Sequence, residues 1–333
     1  MEPLGTAVDG VADRTRFSGV VRVERAGSVE LESAYGLADR GHEIPNTVET
    51  QFAVASGTKG FTALAVVNLI GDGALELTTT ARSVLGGDLP LIDEGVTVEH
   101  LLSHRSGIGD YLDEEAVEDM TDYVMPISVH ELAATEEYLA VLAGHDTVFP
   151  PGERFAYNNG GFVVLALIAE RASGVSFHEL VHRRVCEPAG MRDTAFLRSD
   201  ELPGRAALGY LTADGSRTNV FHVPVRGNGD GGIYSTGADV SSLWEAVFAG
   251  RIVSTDRVAE MVRPRSDGPE GLQYGLGFWL HGSSGVVELH GYDAGVSFRS
   301  VHDPASMTTH TVISNTTEGT WPIEELLDER LAT

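Results

Sequence analysis

Hydrophobic and polar positions alternate near both ends of the chain. Residues 17–39, "FSGVVRVERAGSVELESAYGLAD", alternate with a period of two and break at Ala26-Gly27, which predicts two strands joined by a turn. Strand patterns return from about residue 225, in "GLGFWLHG", "GVVELHGY", "GVSFRSVHDP" and "MTTHTVISNTT". The segment "WPIEELLDERLA" then predicts a short closing helix.

Helical spacing dominates the middle of the chain. Residues 56–70 are almost continuously apolar after residue 60, which predicts a helix surrounded by protein, and "GDG" at 71–73 ends it. Residues 74–224 then read mainly as helices and loops. The segments "VTVEHLLSHRSG", "SVHELAATEEYLAVLAG" and "GFVVLALIAERASG" carry helical spacing and close on glycine.

This order of elements predicts an α+β fold. We expect an antiparallel β-sheet flanked by helices, with strands from both ends of the chain and a mostly helical region inserted between them. The expected domains are a discontinuous sheet domain, residues 1–74 plus 225–333, and a mostly helical domain, residues 75–224. A cleft between them is the expected place for a functional site.

Composition narrows the classes of function. A net charge of −26 disfavours nucleic acid and anionic membrane surfaces as partners, and one cysteine, Cys186, excludes a disulfide framework. The N-terminus lacks the charged and apolar regions of a signal peptide, and the longest apolar run is too short for a membrane span. We therefore expect a cytoplasmic protein. Its acidic, lysine-poor composition fits a GC-rich genome or adaptation to high salt.

Lys59 is the only lysine in the chain, and the other 22 of its 23 lysine and arginine residues are arginine. Lysine differs from arginine in that burial lets it release its proton and act as a base. Ser56 precedes it by three residues, on the same helix face, at a helix start where backbone N–H groups are unpaired. A hydroxyl, a deprotonatable amine and anion-stabilising donors together indicate acyl transfer. The simpler alternative is a serine cap followed by an extended surface lysine.

Two later motifs complete a recognisable set. Tyr157 and Asn159 form Tyr-x-Asn in "PPGERFAYNNGG", at a turn that opens a helix, and His290-Gly291 lies on a late strand, in "LHGYDAGVSF". With Ser-x-x-Lys first, this order resembles the serine hydrolases of the class C β-lactamase type, which include β-lactamases, DD-peptidases, D-aminopeptidases, esterases and transesterases. The resemblance runs from about residue 17 to 315 and includes "CEPAGMRDTAF" and "GDGGIYSTGADV".

The resemblance implies roles for the first two motifs. Ser56 would be the nucleophile, and Lys59 and Tyr157 would share the acid–base work, each depressing the other's pKa. Asn159 would hold the serine–lysine network and contact the acyl part of the substrate. Alternatively, Asn159 caps the next helix and Tyr157 is core packing.

The third motif departs from the family pattern. Many members carry Lys-Thr-Gly or His-x-Gly, whereas here His290 and Gly291 are followed by Tyr292, and the following turn is one residue shorter. The resemblance makes residues 290–293 substrate-binding, with an N–H near Tyr292 or Asp293 joining the Ser56 N–H in an oxyanion hole. His290 is largely neutral and attracts a carboxylate more weakly than lysine does. We therefore expect esters, amides or D-amino-acid derivatives rather than β-lactams.

A competing signal is the zinc-peptidase pattern His178-Glu179-x-x-His182. Catalytic zinc needs a third protein ligand, and the downstream candidate Glu201 lies two residues before Pro203-Gly204, so no helix presents it. On a helical wheel the three residues fall on the polar side, which favours a surface amphipathic helix. We therefore expect no metal and no cofactor, and His104 is interpreted as structural.

The sequence thus predicts a metal-independent serine hydrolase that forms an acyl-enzyme on Ser56 from a small ester or amide. An acyltransferase or transesterase would use the same residues, and a non-catalytic binding module is the remaining alternative. The sequence names neither the substrate nor the oligomeric state. The segment "GDYLDEEAVEDMTDYVMPIS", residues 109–128, follows no pattern that indicates a chemistry.

Overall fold

The computed structural model describes residues 2–112, 114, 117, 119–282 and 284–331. The strands are β1 (Gly19–Arg25), β2 (Ser28–Tyr35), β3 (Leu37–Asp39), β4 (Ile44–Pro45), β5 (Phe52–Ala53), β6 (Tyr234–Ser235), β7 (Ser266–Asp267), β8 (Gln273–Tyr274), β9 (Trp279–Leu280), β10 (Val287–Asp293), β11 (Val296–Asp303) and β12 (Thr308–Ser314). The α-helices are α1 (Leu4–Thr15), α2 (Thr58–Gly71), α3 (Ala81–Leu85), α4 (Val98–Leu102), α5 (Leu139–Leu142), α6 (Asn159–Ser173), α7 (Phe177–Val181), α8 (Glu187–Ala189), α9 (Gly237–Phe248), α10 (Thr255–Met261) and α11 (Trp321–Leu331).

The main sheet is antiparallel and has the strand order β2-β1-β12-β11-β10-β9-β8-β7. Strands from the two ends of the chain meet where β1 pairs with β12. The predicted turn at Ala26-Gly27 joins β1 to β2, and both residues have positive φ, 48° and 76°, as a two-residue hairpin turn requires. The predicted α+β class, with an antiparallel sheet between helices, is confirmed.

The alternation in β1 divides the hydrophobic side chains between two faces of the sheet. Val21 and Val23 pack with Val312, Ile323 and Leu327 beneath the terminal helices α1 and α11. Val20, on the other face, joins the large core around α2, α6 and α9. The sheet is therefore covered on both faces, and α2 is held against the inner one.

Helices α2 and α6 are buried almost along their whole length, as their apolar sequences predict. They pack against each other, and α2 also lies beside β10 through the turn that precedes it. Both helices begin at the same end of the core. This packing brings the starts of two motif-bearing helices to the edge of β10.

Two predictions from the pattern differ from the structure. Residues 128–144 are not one helix: 3-10 turns at Val129–Glu131 and Thr135–Tyr138 precede α5. The Glu137 carboxylate accepts hydrogen bonds from Ala133 N and Ala134 N, at 2.8 and 2.7 Å, which starts a new turn and interrupts the helix. The sequence pattern also does not predict α1, or α9 and α10 among the late strands.

Between residues 75 and 224 the described elements are helices and turns, linked by isolated bridges. The division into a sheet domain and a helical domain at residues 74 and 225 stays a prediction. No single helix in the described part of the chain is long and apolar enough to cross a membrane, and the pair Asn159–Ser173 and Phe177–Ala189, which meets that test jointly, is bent by 83°.

Candidate active site

Ser56 lies in a short 3-10 turn, Ala55–Gly57, just before α2, rather than in the first turn of the predicted α-helix. Ala55 has a φ of 42°, a left-handed conformation that costs free energy for a residue other than glycine. The Thr58 hydroxyl secures the turn by donating to Ala55 O at 2.7 Å and accepting from Ile233 N at 3.1 Å. The turn leaves Ser56 half-buried in the wall of a cavity.

Lys59 projects from the first turn of α2 into the same region and is only 2% exposed. Its Nζ lies 2.9 Å from Ser56 Oγ, 2.7 Å from Asn159 Oδ1 and 2.8 Å from the backbone carbonyl oxygen of Asp230. An ammonium group can donate to all three oxygens. A neutral amine can donate to Asn159 and Asp230, which leaves its lone pair directed at the Ser56 hydroxyl.

Burial lowers the pKa of Lys59, because a charged amine loses solvation inside the protein. Nearby carboxylates oppose this shift without cancelling it, and these are Asp230, Glu114, Asp110 and Asp293. The lysine is therefore poised to lose its proton more readily than a lysine in water. This agrees with the reason given above for lysine at this position in a chain that otherwise uses arginine.

Tyr157 lies beside Lys59, with Nζ 4.9 Å from the centroid of the tyrosine ring, and it hydrogen bonds to Ser56. Burial raises the pKa of Tyr157 well above its usual value, and the hydrogen bond with Ser56 opposes this only in part. The expectation that Lys59 and Tyr157 depress each other's pKa is therefore wrong for Tyr157. Loss of solvation outweighs the charge and hydrogen-bond effects on the phenol.

His104 contacts Tyr157 and both of its neighbours in the chain, an arrangement that the sequence pattern does not predict. Its carbonyl oxygen accepts from Ala156 N at 2.9 Å, and its Nδ1 accepts from Asn158 N at 3.1 Å. Its ring centroid lies 4.4 Å from that of Tyr157. Burial lowers the pKa of His104 well below its usual value, so the ring is neutral and carries its proton on Nε2.

Two neighbouring asparagines at the start of α6 have different roles. Asn158 is the helix cap, since its Oδ1 accepts from Gly161 N at 2.6 Å. Asn159 is therefore free of the capping role and reaches Lys59 instead. The Asp110 carboxylate also accepts from Asn159 N at 2.5 Å and Gly160 N at 2.8 Å, which suits a negative group at a helix start.

Gly291 brings the edge of β10 against the backbone of Ser56. A Cβ atom at this position would lie 2.3 Å from Val54 O, 2.7 Å from Ser56 N and 2.9 Å from Gly57 N. These distances are too short for any side chain, so glycine permits the close approach. The approach places the end of β10, Tyr292 and Asp293, in the cavity wall with Ser56.

The comparison with known protein families decides the classification. The model of the Beta-lactamase family matches residues 5–332. The chain belongs to the Beta-lactamase family. The resemblance predicted from the three motifs is thus confirmed, and the family comprises serine hydrolases of the β-lactamase fold.

Curated proteins that are similar to this chain carry different names. "Penicillin-binding protein 4*" of Bacillus subtilis (strain 168) is 28% identical over 84% of the chain and 63% of its own length. "Esterase EstB" of Burkholderia gladioli is 34% identical over 62% of the chain and 55% of its own length. "D-aminopeptidase" of Brucella anthropi is 28% identical over 80% of the chain and 49% of its own length. The chain thus spans about half to two thirds of these curated relatives.

One solved structure matches nearly the whole length of this chain. The penicillin binding protein from Bacillus halodurans superimposes with a TM-score of 0.91 at 33% identity, over 97% of this chain and 99% of its own. The similarity therefore includes the sheet and the helical part together. Because its relatives carry the names of penicillin-binding proteins, an esterase and a D-aminopeptidase, membership of the Beta-lactamase family does not identify the substrate.

The side chain of His290 has different surroundings from those of Tyr292 and Asp293 on the same strand. Its Nδ1 lies 2.7 Å from Glu288 Oε1, and its ring stacks on Trp279 with centroids 5.0 Å apart. Trp279 stacks in turn on Tyr157, at 6.1 Å and 13° between ring planes. His290 is not among the described residues that line the cavity, whereas Tyr292 and Asp293 are.

Carboxyl groups surround the site, and apart from Asp293 the residue patterns did not reveal them. Glu114 Oε1 accepts from Asn159 Nδ2 at 2.8 Å, and the Tyr111 hydroxyl donates to Asp230 Oδ2. Burial raises the pKa of Asp110 to about 6 and that of Asp293 to about 7. Asp110 and Glu114 come from segment 109–128, and its concentration of acidic residues is a signal that could have indicated them.

The three residues of the zinc-peptidase pattern do not converge. His178 Nε2 lies 2.8 Å from Gly227 O, Glu179 pairs with Arg183, and His182 is 3.5 Å from a different carboxylate, that of Glu187. The part of the chain that the structure describes contains no group of three His, Cys, Asp or Glu side chains that could hold a metal. The geometry therefore gives the zinc alternative no support.

Proposed function

We propose that the protein is a metal-independent serine hydrolase that forms an acyl-enzyme on Ser56 from an ester or amide. The observation that carries the proposal is the 2.9 Å contact between Ser56 Oγ and Lys59 Nζ, in a turn that opens onto a cavity. A nucleophile needs a base within hydrogen-bond reach, and this pair meets that requirement. A binding module would have no use for the pair.

The directions of the pKa shifts support a division of the proton transfers between Lys59 and Tyr157. Lys59, whose pKa is lowered, takes the Ser56 proton as the hydroxyl attacks the carbonyl carbon. Tyr157, whose pKa is raised, stays protonated and donates a hydrogen bond toward the leaving group, which receives the proton that Lys59 took from Ser56. Asn159 holds the amine of Lys59 at the serine by accepting one of its hydrogens.

The oxyanion that forms in this step needs backbone donors. The Ser56 N–H and an N–H near Tyr292 or Asp293 serve as these donors in the proposal, and the close approach of Gly291 to Ser56 N supports it. Water then releases the acyl group. An alcohol or amine acceptor would give acyl transfer with the same residues, so this alternative stays open, as does the predicted cytoplasmic location.

The experiment that tests the proposal combines substrates with variants. Short-chain nitrophenyl esters, D-amino-acid amides and a chromogenic cephalosporin are assayed with the wild type and Ser56→Ala. We expect ester or amide turnover that Ser56→Ala abolishes, and that a strong chelator and His178→Ala leave in place. Turnover that persists in Ser56→Ala, or that the chelator removes, contradicts the proposal. Added alcohol acceptors show whether ester products replace the free acid.

A further inference from the structure

We propose that Trp279 is a positioning residue for the reaction, because it holds the ring of Tyr157 in the orientation from which the phenol reaches Ser56. A buried carboxylate, that of Glu288, anchors Trp279 through His290. The inference rests on the proposed function, in which Tyr157 assists the leaving group. It gives roles to three side chains that lie outside the described lining of the cavity.

Three rings beside the site lie nearly parallel to one another. The ring of Trp279 stacks on that of Tyr157, with 6.1 Å between the centroids and 13° between the planes. It also stacks on His290, with 5.0 Å between the centroids and 20° between the planes. Tyr157 and His290 belong to the second and third motifs, so the indole of Trp279 joins these two motifs.

The indole of Trp279 is itself closely packed. It is buried, and the ring of Tyr274 meets it edge-on, with centroids 4.7 Å apart and 87° between the planes. Phe155, two residues before Tyr157, also meets it edge-on, at 5.9 Å and 62°. A Cβ atom at Gly268 would lie 2.9 Å from Cζ3 of the indole, so glycine leaves room for the ring there. A large ring held in this way can fix the orientation of a ring that stacks on it.

Glu288 holds the imidazole of His290 in place. Its Oε1 accepts a hydrogen bond from His290 Nδ1 at 2.7 Å, and its Oε2 accepts from Arg299 Nη2 at 2.9 Å. Burial alone would raise the pKa of this carboxyl, but hydrogen bonds from His281 and His290 and the charge of Arg299 lower it overall. The group therefore stays charged and keeps its hydrogen bond to His290. Glu288 is also the cross-strand partner of Trp279, since β9 pairs with β10 at these two residues.

The orientation of Tyr157 matters most for one part of the substrate. The phenol hydrogen bonds to Ser56 and, in the proposed mechanism, assists departure of the leaving group. An alkoxide leaving group must receive a proton, whereas 4-nitrophenolate leaves without one. A misplaced Tyr157 should therefore slow alkyl esters more than nitrophenyl esters.

A series of esters of one acid tests the inference. The 4-nitrophenyl, phenyl and ethyl esters of butyric acid differ only in the leaving group, and kcat/KM is measured for each. In Trp279→Leu we expect the ethyl-to-nitrophenyl ratio of kcat/KM to fall by about tenfold or more, with the phenyl ester intermediate. Trp279→Phe keeps a ring beside Tyr157 and should retain most of the wild-type ratio. The matching nitroanilide, anilide and alkylamide serve if the enzyme prefers amides.

Trp244→Leu is the matched control. Trp244 is a buried tryptophan of α9 that also stacks on a histidine, His302, with centroids 5.7 Å apart and 9° between the planes. Its indole N–H donates to Ser300 Oγ on β11 at 2.8 Å. The loss of this tryptophan should lower the melting temperature but leave the leaving-group ratio unchanged.

Two further variants test how Trp279 acts. His290→Leu removes the link to Glu288, while the buried carboxylate keeps Arg299 as a partner, and it should lower the ratio by about threefold. Adding Trp279→Leu to Tyr157→Phe should lower the ratio little further, because the phenol is already absent. Circular dichroism checks the fold of each variant, and His290→Leu carries the test if Trp279→Leu does not fold.

The outcomes separate this inference from the proposed function. A loss in Trp279→Leu that is equal for all leaving groups, or a ratio that Trp244→Leu lowers as much, overturns the positioning role alone. An unchanged ratio in His290→Leu overturns the anchoring by Glu288. Failure to hydrolyse any of the esters and amides, or hydrolysis that Ser56→Ala retains, overturns the proposed function and the inference with it.

Discussion

Lys59 Nζ lies 2.9 Å from Ser56 Oγ and is held there by the side-chain oxygen of Asn159 and the backbone oxygen of Asp230. When the Lys59 amine is neutral, its two N–H bonds donate to these two oxygens. Its lone pair is then directed at the Ser56 hydroxyl. The arrangement gives a physical reason for the single lysine of the chain, since arginine would keep its proton in the same place.

The first prediction concerns that lysine. Lys59→Arg should lower kcat/KM by about a hundredfold or more, because a guanidinium group cannot accept the Ser56 proton at working pH. Lys59→Ala should be at least as damaging. Steady-state kinetics with a neutral ester, together with circular dichroism to confirm the fold, checks this. If Lys59→Arg keeps more than about a tenth of the activity, the activation free energy has risen by less than about 1.4 kcal/mol, and Lys59 is not the base.

The second prediction concerns pH. A base works when it is unprotonated, so kcat/KM for a neutral ester should rise with pH through the pKa of Lys59, which burial lowers from its usual value. Glu114 raises that pKa and Asp230, Asp110 and Asp293 act in the same direction. Removing the Glu114 charge should therefore lower it.

The pH–rate profile of Glu114→Gln should accordingly move to lower pH, by roughly half a unit. The exposed control Glu94→Gln should leave the profile in place. A shift of the Glu114→Gln profile to higher pH, or a wild-type rate that falls with rising pH throughout, would contradict the assignment of Lys59 as the base.

The third prediction makes His104 a positioning residue for Tyr157. Asparagine tolerates the left-handed backbone of this position, φ 54°, and can keep an acceptor for Asn158 N, whereas leucine cannot. His104→Leu should therefore lower kcat by about ten- to a hundredfold with little change in KM, and His104→Asn should lower it less.

A double-mutant cycle distinguishes this role from a general loss of stability. If His104 acts through Tyr157, then adding His104→Leu to Tyr157→Phe should cost little beyond Tyr157→Phe alone. Fully additive losses in kcat would show that His104 affects the site by another route, and the positioning role would be rejected.

The fourth prediction concerns the approach of β10 to the nucleophile. Gly291→Ala should lower kcat by about a hundredfold, because its Cβ would collide with Val54 O and Ser56 N and displace the strand edge. Gly71→Ala is the control, since a Cβ there meets nothing within 4 Å. Wild-type kcat in Gly291→Ala would show that this spacing does not matter for the reaction.

Sequence patterns predicted the parts of the structure that depend on regular spacing. The period-two alternation gave the hairpin of β1 and β2, and the apolar run after residue 60 gave the buried helix α2. The motif order also led to the family and to the residues that the fold brings together, Ser56, Lys59 and Asn159.

The features of the site that the sequence did not predict depend on contacts between segments that are distant in the sequence. Glu114 lies in segment 109–128, whose sequence follows no pattern that indicates a chemistry, yet its carboxylate contacts Asn159 across 45 positions. The left-handed Ala55 has no local signature, because alanine does not favour that conformation. His290 was expected at the substrate, but its orientation depends on Glu288 and Trp279, whose positions only the folded sheet fixes.

The most direct test of the central claim is covalent labelling of the serine. A fluorophosphonate phosphonylates an activated serine and is stabilised by the oxyanion hole. Mass spectrometry of the intact protein and of the tryptic peptide 41–59 locates the adduct; in Lys59→Ala, which lacks that cleavage site, the peptide is 41–82. We predict one adduct, on Ser56, formed in step with loss of activity and absent from Ser56→Ala and Lys59→Ala. Full activity after complete labelling, or an adduct at another residue that accounts for inactivation, would contradict the account.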